Sequence, residues 1–310
     1  MNTSTKSGLN REFSRREFLG LGAAGAGLLM LGGCGGSGTG SSANKTLDIA
    51  YIEWDENVAN SHVIKQIAEK DLGYENVALK LGDVGPVFEG VATGDSQAFL
   101  DAWLPGHKEY LDKVGDGAKL VDEPWYLGET EYGIAVPDYM SDIQSVKDLN
   151  ESGANSIIGI EPGALLMQRI EENVIPEYNL NLELVGSSTP AMLAALEKAY
   201  KKKEPFVFLG WSPHWMNARY DFHYLEDPKN AMGEIDDPAK LYAVVHKDLE
   251  SDDPVAYALI DAMKFTKEQM DALELEIQNS DGPEKGASKW LENNRDVVKP
   301  WIEAAKKAEG

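Results

Sequence analysis

Leu47-Asp48-Ile49-Ala50-Tyr51-Ile52 is a short apolar run that reads as a β-strand, and the segments after it decide the fold. From Val58 to Lys70, apolar residues at 59, 63, 64, 67 and 68 recur with helical spacing. Val77 to Leu81 is again strand-like. Val84 to Thr93 reads as a helix stopped by Gly94, and Gln97-Ala98-Phe99-Leu100 is a third strand. The order β-α-β-α-β predicts a mostly parallel sheet covered by helices, an α/β fold.

The same grammar returns downstream. Ser156-Ile157-Ile158-Gly159-Ile160 reads as a buried strand, and the loop Glu161-Pro162-Gly163 leads into a helix from about Ala164. Met192, Leu193, Leu196 and Tyr200 line one face of a further helix, and Pro205 to Leu209 is a strand. Leu241 to Val245 is a strand expected to re-enter the first unit. The remainder is helical: Asp253-Pro254 is an N-cap with proline behind it, and Thr266-Lys267-Glu268-Gln269 is a capping box. Ser288 to Lys307 reads as a closing helix, kinked or split at Pro300. We therefore expect two lobes, 46–135 plus 241–310 and 136–240, with crossings near Tyr132–Pro137 and Leu241–Val245. Roughly 265 residues after position 45 is more than one typical domain holds.

Ahead of this region, Ser14-Arg15-Arg16-Glu17-Phe18-Leu19 has the form of a twin-arginine export signal. The apolar stretch Leu19 to Gly33 is short and glycine-rich, as a signal h-region is. It ends in Leu31-Gly32-Gly33-Cys34, a lipobox-like sequence, so residues 1–34 are read as a signal peptide and Cys34 as the lipidated first residue. The other reading is an N-terminal anchor helix with a chance cysteine. Residues 35–45 are small and polar, a flexible tether. Cys34 is the chain's one cysteine, so no intrachain disulfide forms. The expected location is extracytoplasmic, at the membrane surface. No C-terminal membrane segment is read, which disfavours a sensory ectodomain.

The chain carries a formal charge of −23, and loss of the signal's four basic and two acidic residues takes this to −25. Such a surface repels nucleic acid and anionic lipid, and its plainest consequence is solubility. Catalytic signals are sparse. There is no phosphate loop, no nucleophile elbow, and no metal-ligand spacing among His62, His107, His214, His223 and His246. His62 and His107 read as solvated surface residues. No enzyme activity, metal or cofactor is expected, and a secreted enzyme acting on choline-like substrates would need a nucleophile or metal that is not seen.

The tryptophans carry more information. Trp54, Trp103 and Trp211 each follow a strand, in Glu53-Trp54-Asp55, Ala102-Trp103-Leu104-Pro105 and Gly210-Trp211-Ser212-Pro213-His214-Trp215. Ligands of open α/β sheets bind beyond the carboxyl ends of the strands. Three tryptophans there can converge on one cleft, and π faces suit a cation that offers no strong hydrogen bonds. Trp215 is read as packing, and Trp125, Trp290 and Trp301, which lack a strand-end context, as core or surface.

The runs Asp101 to Pro105, Gly159 to Ala164 and Phe208 to Trp215 resemble the glycine betaine family of ABC-transporter substrate-binding proteins, choline-binding relatives included. The resemblance covers essentially all of the chain after residue 46. It implies a two-lobed, type II periplasmic-binding-protein-like fold, a quaternary ammonium ligand held in an aromatic box, and docking on a membrane permease. Carried over by motif, Trp54, Trp103 and Trp211 form the box and Tyr132 a fourth wall. His214 is a donor for a ligand carboxylate or a supporting residue. The helix start at Gly163 and Ala164 is an anion site. Asp55 either accepts a choline hydroxyl or caps its helix. A monomer is expected, and glycine betaine, proline betaine, carnitine and choline are left open.

Overall fold

In a computed structural model, residues 45–233 and 238–310 are described. The expected export signal, Cys34 and the tether up to residue 44 lie outside the described residues. Two five-stranded sheets organise the chain. The first holds β1 (Thr46–Tyr51), β2 (Asn76–Leu81), β3 (Ala98–Leu104) and β4 (Ala118–Leu120). The second holds β5 (Glu131–Pro137), β6 (Ser156–Ile158), β7 (Glu183–Val185), β8 (Val207–Ser212) and β9 (Phe222–Tyr224). The last strand, β10 (Lys240–His246), returns to the first sheet, antiparallel between β3 and β4. In both sheets the core strands are parallel (β2-β1-β3 and β7-β6-β8) and the returning strand is antiparallel. Buried on both faces, the central strands β3 and β8 are nearly continuous apolar runs.

The helices follow in chain order. The first lobe carries α1 (Asp55–Asp71), α2 (Val84–Thr93) and α3 (Lys108–Val114). The second carries α4 (Leu165–Arg169), continued through a π-turn at Ile170–Val174 into α5 (Ile175–Tyr178), then α6 (Thr189–Lys202) and α7 (Met216–Arg219). The chain closes with α8 (Leu249–Asp252), α9 (Pro254–Ala262), α10 (Lys267–Gln278), α11 (Pro283–Asn293) and α12 (Arg295–Lys307). These last helices pack on the first lobe: Gln66 of α1 donates to the Glu284 carbonyl at 2.7 Å, and Arg295 grips Asp71 through both terminal nitrogens. Asp253 and Thr266 cap α9 and α10 as the sequence indicates. Gly94 ends α2 at φ 83°, a left-handed turn that a side chain would strain. Among the described residues no helix is long and apolar enough to cross a membrane.

Three expectations change. The strand Glu131–Pro137 pairs with β8 and β9, so a lobe boundary at 135 cuts through a strand of the second sheet. The crossings lie earlier, between β4 and β5, and between β9 and β10, and Thr130 Oγ1 ties one to the other by donating to the Ala239 carbonyl at 3.0 Å. The break in the closing helix falls at Asn294, and Pro300 is accommodated in the interior of α12.

Candidate functional site

Site geometry begins at the end of β1. Asn57 Oδ1 accepts the Ile52 N–H at 2.8 Å, and Asn60 Nδ2 donates to the Leu100 carbonyl of β3 at 3.1 Å. These buried amides pin the first turn of α1 across the ends of two strands. Trp54, Asp55 and Glu56 are thereby held at the sheet's carboxyl edge. Trp103 and Trp211 differ from expectation in one detail: both lie inside the last residues of their strands, β3 and β8, because each strand runs further than its apolar run suggests.

One cavity of about 60 Å³ lies between the lobes, and Trp54, Trp103, Tyr132 and Trp211 all line it. That is room for a few waters or one compact organic group. Tyr132 meets Trp103 edge to face, with ring centroids 5.5 Å apart. Ile160, Ala164, Leu165 and Leu166 close the second-lobe side, and His107 and Glu56 the first.

Each indole N–H is anchored by a carboxylate. Trp103 Nε1 donates to Asp101 Oδ2 at 3.2 Å within its own strand. The other two bonds cross between lobes: Trp54 Nε1 to Glu161 Oε2 at 3.0 Å, and Trp211 Nε1 to Glu56 Oε2 at 3.0 Å. Glu161 is itself held by the Thr189 N–H and hydroxyl, at 2.8 and 3.0 Å. With their N–H groups bonded to carboxylates, the three indoles have no free polar edge on the cavity they line.

Asp55 and His214 are placed otherwise than expected. Neither lines the cavity. Trp54, not Asp55, is the α1 N-cap, and no side-chain cap bond forms. Asp55 instead receives Trp215 Nε1 at 2.7 Å, His214 Nε2 at 3.1 Å and Gln278 Nε2 at 2.9 Å. His214 Nδ1 accepts the Met216 N–H at 3.0 Å, so both ring nitrogens are engaged and the proton sits on Nε2. Trp215 thus does more than pack. Gly163 also stays off the cavity wall, its carbonyl accepting Tyr110 Oη at 2.9 Å, whereas Ala164 reaches it.

Two residues were missed by sequence reasoning. His107, expected on the surface, is 3% exposed and stacks on Trp54 at 5.7 Å. Its Nδ1 accepts the Trp103 N–H at 3.1 Å, and burial pushes its pKa down to about 3, so it is a neutral ring carrying its proton on Nε2. Its position four residues after Trp103 was the available signal. Glu56 is fully buried, and burial followed by the charges of Asp101 and Glu274 holds its carboxyl well above the usual range. Nothing in a lone Glu after Trp-Asp marks it. His62 is half-buried rather than solvated, with its pKa lowered chiefly by burial. Among the described residues no cluster of His, Cys, Asp or Glu could hold a metal.

Comparison with known proteins agrees with this geometry. The family model described as the substrate binding domain of ABC-type glycine betaine transport system matches residues 45–293. A curated relative, the glycine betaine/carnitine transport binding protein GbuC of Listeria monocytogenes, is 40% identical over 167 residues, 53% of this chain and 54% of the relative. The chain thus aligns with about half the length of that relative. Among solved structures, lactococcal OpuAC in its closed, glycine betaine-bound form is similar with TM-score 0.74 and 35% identity, over 83% of this chain and 99% of that one. The glycine/betaine/L-proline-binding protein ProX of Borrelia burgdorferi is similar with TM-score 0.76 and 27% identity, over 85% and 99%. The two sheets, the aromatic cavity between them and the match over most of the chain lead to one assignment: this chain belongs to the family of substrate-binding domains of ABC-type glycine betaine transport systems.

Proposed function

We propose that this chain captures glycine betaine or a closely related quaternary ammonium compound between its lobes and delivers it to the membrane permease of an ABC importer. It does so outside the cytoplasm, as a monomer tethered through lipidated Cys34. The observation that carries the reading is the convergence of Trp54, Trp103, Tyr132 and Trp211 on one small cavity. A trimethylammonium group spreads its charge over methyls and gains about 2 kcal/mol or more from a desolvated π face.

A zwitterion needs an anion site opposite the rings. Two features support one. His107 lines the cavity as a neutral Nε2–H donor. Leu165 and Leu166 open the helical run that begins with α4, where N–H groups have no partner within the helix. This moves the carboxylate-reading role from His214, whose nitrogens are engaged elsewhere, to His107. Choline is the second ligand the site suits, because Glu56 is among the residues lining the cavity and a net cation complements an acid there better than a zwitterion does.

The test is isothermal calorimetry of the purified protein against glycine betaine, proline betaine, carnitine and choline. Saturable binding of glycine betaine, with loss of affinity in Trp103→Ala and His107→Ala, is expected. No heat and no thermal shift with any of the four would overturn the reading.

A further inference from the structure

Three carboxyl groups are buried behind the cage. Glu56 comes from α1, Asp101 from β3 and Glu274 from α10, and each is at most 1% exposed. Glu56 and Asp101 each spend one oxygen on an indole, Trp211 and Trp103 respectively. The remaining oxygens, Glu56 Oε1 and Asp101 Oδ1, are buried with no donor, as are both oxygens of Glu274. The Glu56 and Asp101 carboxyls act on each other directly, and burial raises both above the ordinary carboxylate range. Two neighbouring carboxylates buried without donors for their remaining oxygens do not both stay ionised, so one of them holds a proton.

The surroundings supply no other counter-charge. Trp211 faces Glu56 from β8, and Glu274 faces both acids from α10 with Asp55 behind it. His107 is neutral, and His214 is turned to Asp55. Among the described residues, no lysine or arginine is among the groups acting most strongly on Glu56, Asp101 or Glu274. The cavity that Glu56 lines is a place from which positive charge can arrive.

We propose that Glu56 and Asp101 share one proton while the cage is empty, and that a quaternary ammonium entering the cage displaces it to solvent, making Glu56 the ligand's counter-charge. The O–H bond between the two carboxyls breaks, the proton passes to buffer, and the permanent cation takes its place. With choline the net charge of the site is thus conserved on binding, and with glycine betaine the charge beside the rings is conserved while the ligand's carboxylate is met elsewhere. Glu56 thereby selects permanent cations over neutral molecules of the same shape, which have no charge with which to replace the proton. Burial pushes Asp101 up to about 7, which puts the exchange within reach of neutral pH. The inference rests on the cage taking a quaternary ammonium group.

Calorimetry of the purified protein with glycine betaine and with choline, near pH 7 in phosphate and in Tris, tests it. The two buffers take up a proton with different heats. The expected result is release of up to about one proton per ligand, with affinity rising by at most about tenfold per pH unit across the pair's titration. Glu56→Gln, which keeps a donor toward Asp101, is expected to bind with equal heats in both buffers and no pH trend. Asp101→Asn serves the same purpose if the first variant does not fold. Tight binding by the wild type with equal heats in both buffers overturns the proposal while leaving the cage intact. No binding of either ligand in either buffer overturns the cage reading and the proposal with it.

Discussion

Trp211 of the second lobe donates its indole N–H to Glu56 of the first at 3.0 Å. Trp54 of the first lobe does the reverse, donating to Glu161 of the second at the same distance. Each of these two cage walls is therefore fixed by a carboxylate on the opposite lobe. In the function proposed above, the cage is complete when the lobes are closed on each other, and ligand affinity and closure are then one equilibrium. A ligand that needs all the rings draws the lobes together by the difference in its affinity for the closed and open forms.

Substitutions at Trp211 separate the ring from its anchor. Trp211→Ala removes both, and glycine betaine affinity is expected to fall by about 2 kcal/mol, roughly thirtyfold. Trp211→Phe keeps a π face and loses only the bond to Glu56, so a smaller loss is expected, expressed mainly as faster release. Stopped-flow fluorescence against calorimetric affinity distinguishes the two. Equal losses for Phe and Ala would show that the interlobe bond outweighs the ring.

The two histidines are expected to behave oppositely across ligands. His107→Ala removes a donor on the cavity wall, so glycine betaine should lose about 1.5–3 kcal/mol of binding while choline, which has no carboxylate, loses far less. His214 instead holds Asp55 across the lobes at 3.1 Å, beside Trp215 at 2.7 Å. His214→Ala and Asp55→Asn should therefore raise the release rate of both ligands alike. Dissociation rates and affinities for both ligands, measured on all three variants, check this; a betaine-selective defect in His214→Ala contradicts it.

Why some of this was readable and some was not has a physical basis. Apolar runs and helix stops report local propensity, and Thr46 to Leu100 could be parsed from them alone. The tryptophans were legible because large rings at strand ends in two α/β units have one place to converge. Glu56 and His107 were not, because a buried polar side chain looks like any surface residue until tertiary contacts enclose it. Asp55 and His214 were read as site residues for their sequence neighbours, whereas the structure pairs them with each other across 159 residues of sequence. The lobe boundary failed for a related reason: β5 joins the second sheet by pairing with β8, a non-local choice that its own sequence does not encode.

The buried acids make stability fall as pH rises. The Asp101 value is raised in the fold to about 7, so the folded protein holds a proton that the unfolded chain has already released. That contribution is complete below the ordinary aspartate range near 4 and is lost as pH climbs to about 7, at up to about 1.4 kcal/mol per pH unit. His62, lowered by burial, acts in the opposite direction as pH falls, so the comparison is made against Asp101→Asn. Thermal melts of the ligand-free protein between pH 5 and 7.5 should show the wild type losing stability relative to the variant as pH rises. Parallel curves would mean that Asp101 is ionised throughout.

The central claim is that the rings bind a charge and not merely a shape. tert-Butylacetate has the outline of glycine betaine with carbon in place of the quaternary nitrogen, and keeps the carboxylate. Calorimetric titration of the purified protein with both, in one buffer at one pH, isolates the cation. Glycine betaine is expected to bind at least roughly thirtyfold more tightly, the contribution of about 2 kcal/mol from a single desolvated face. Equal affinities for the two compounds would contradict the account.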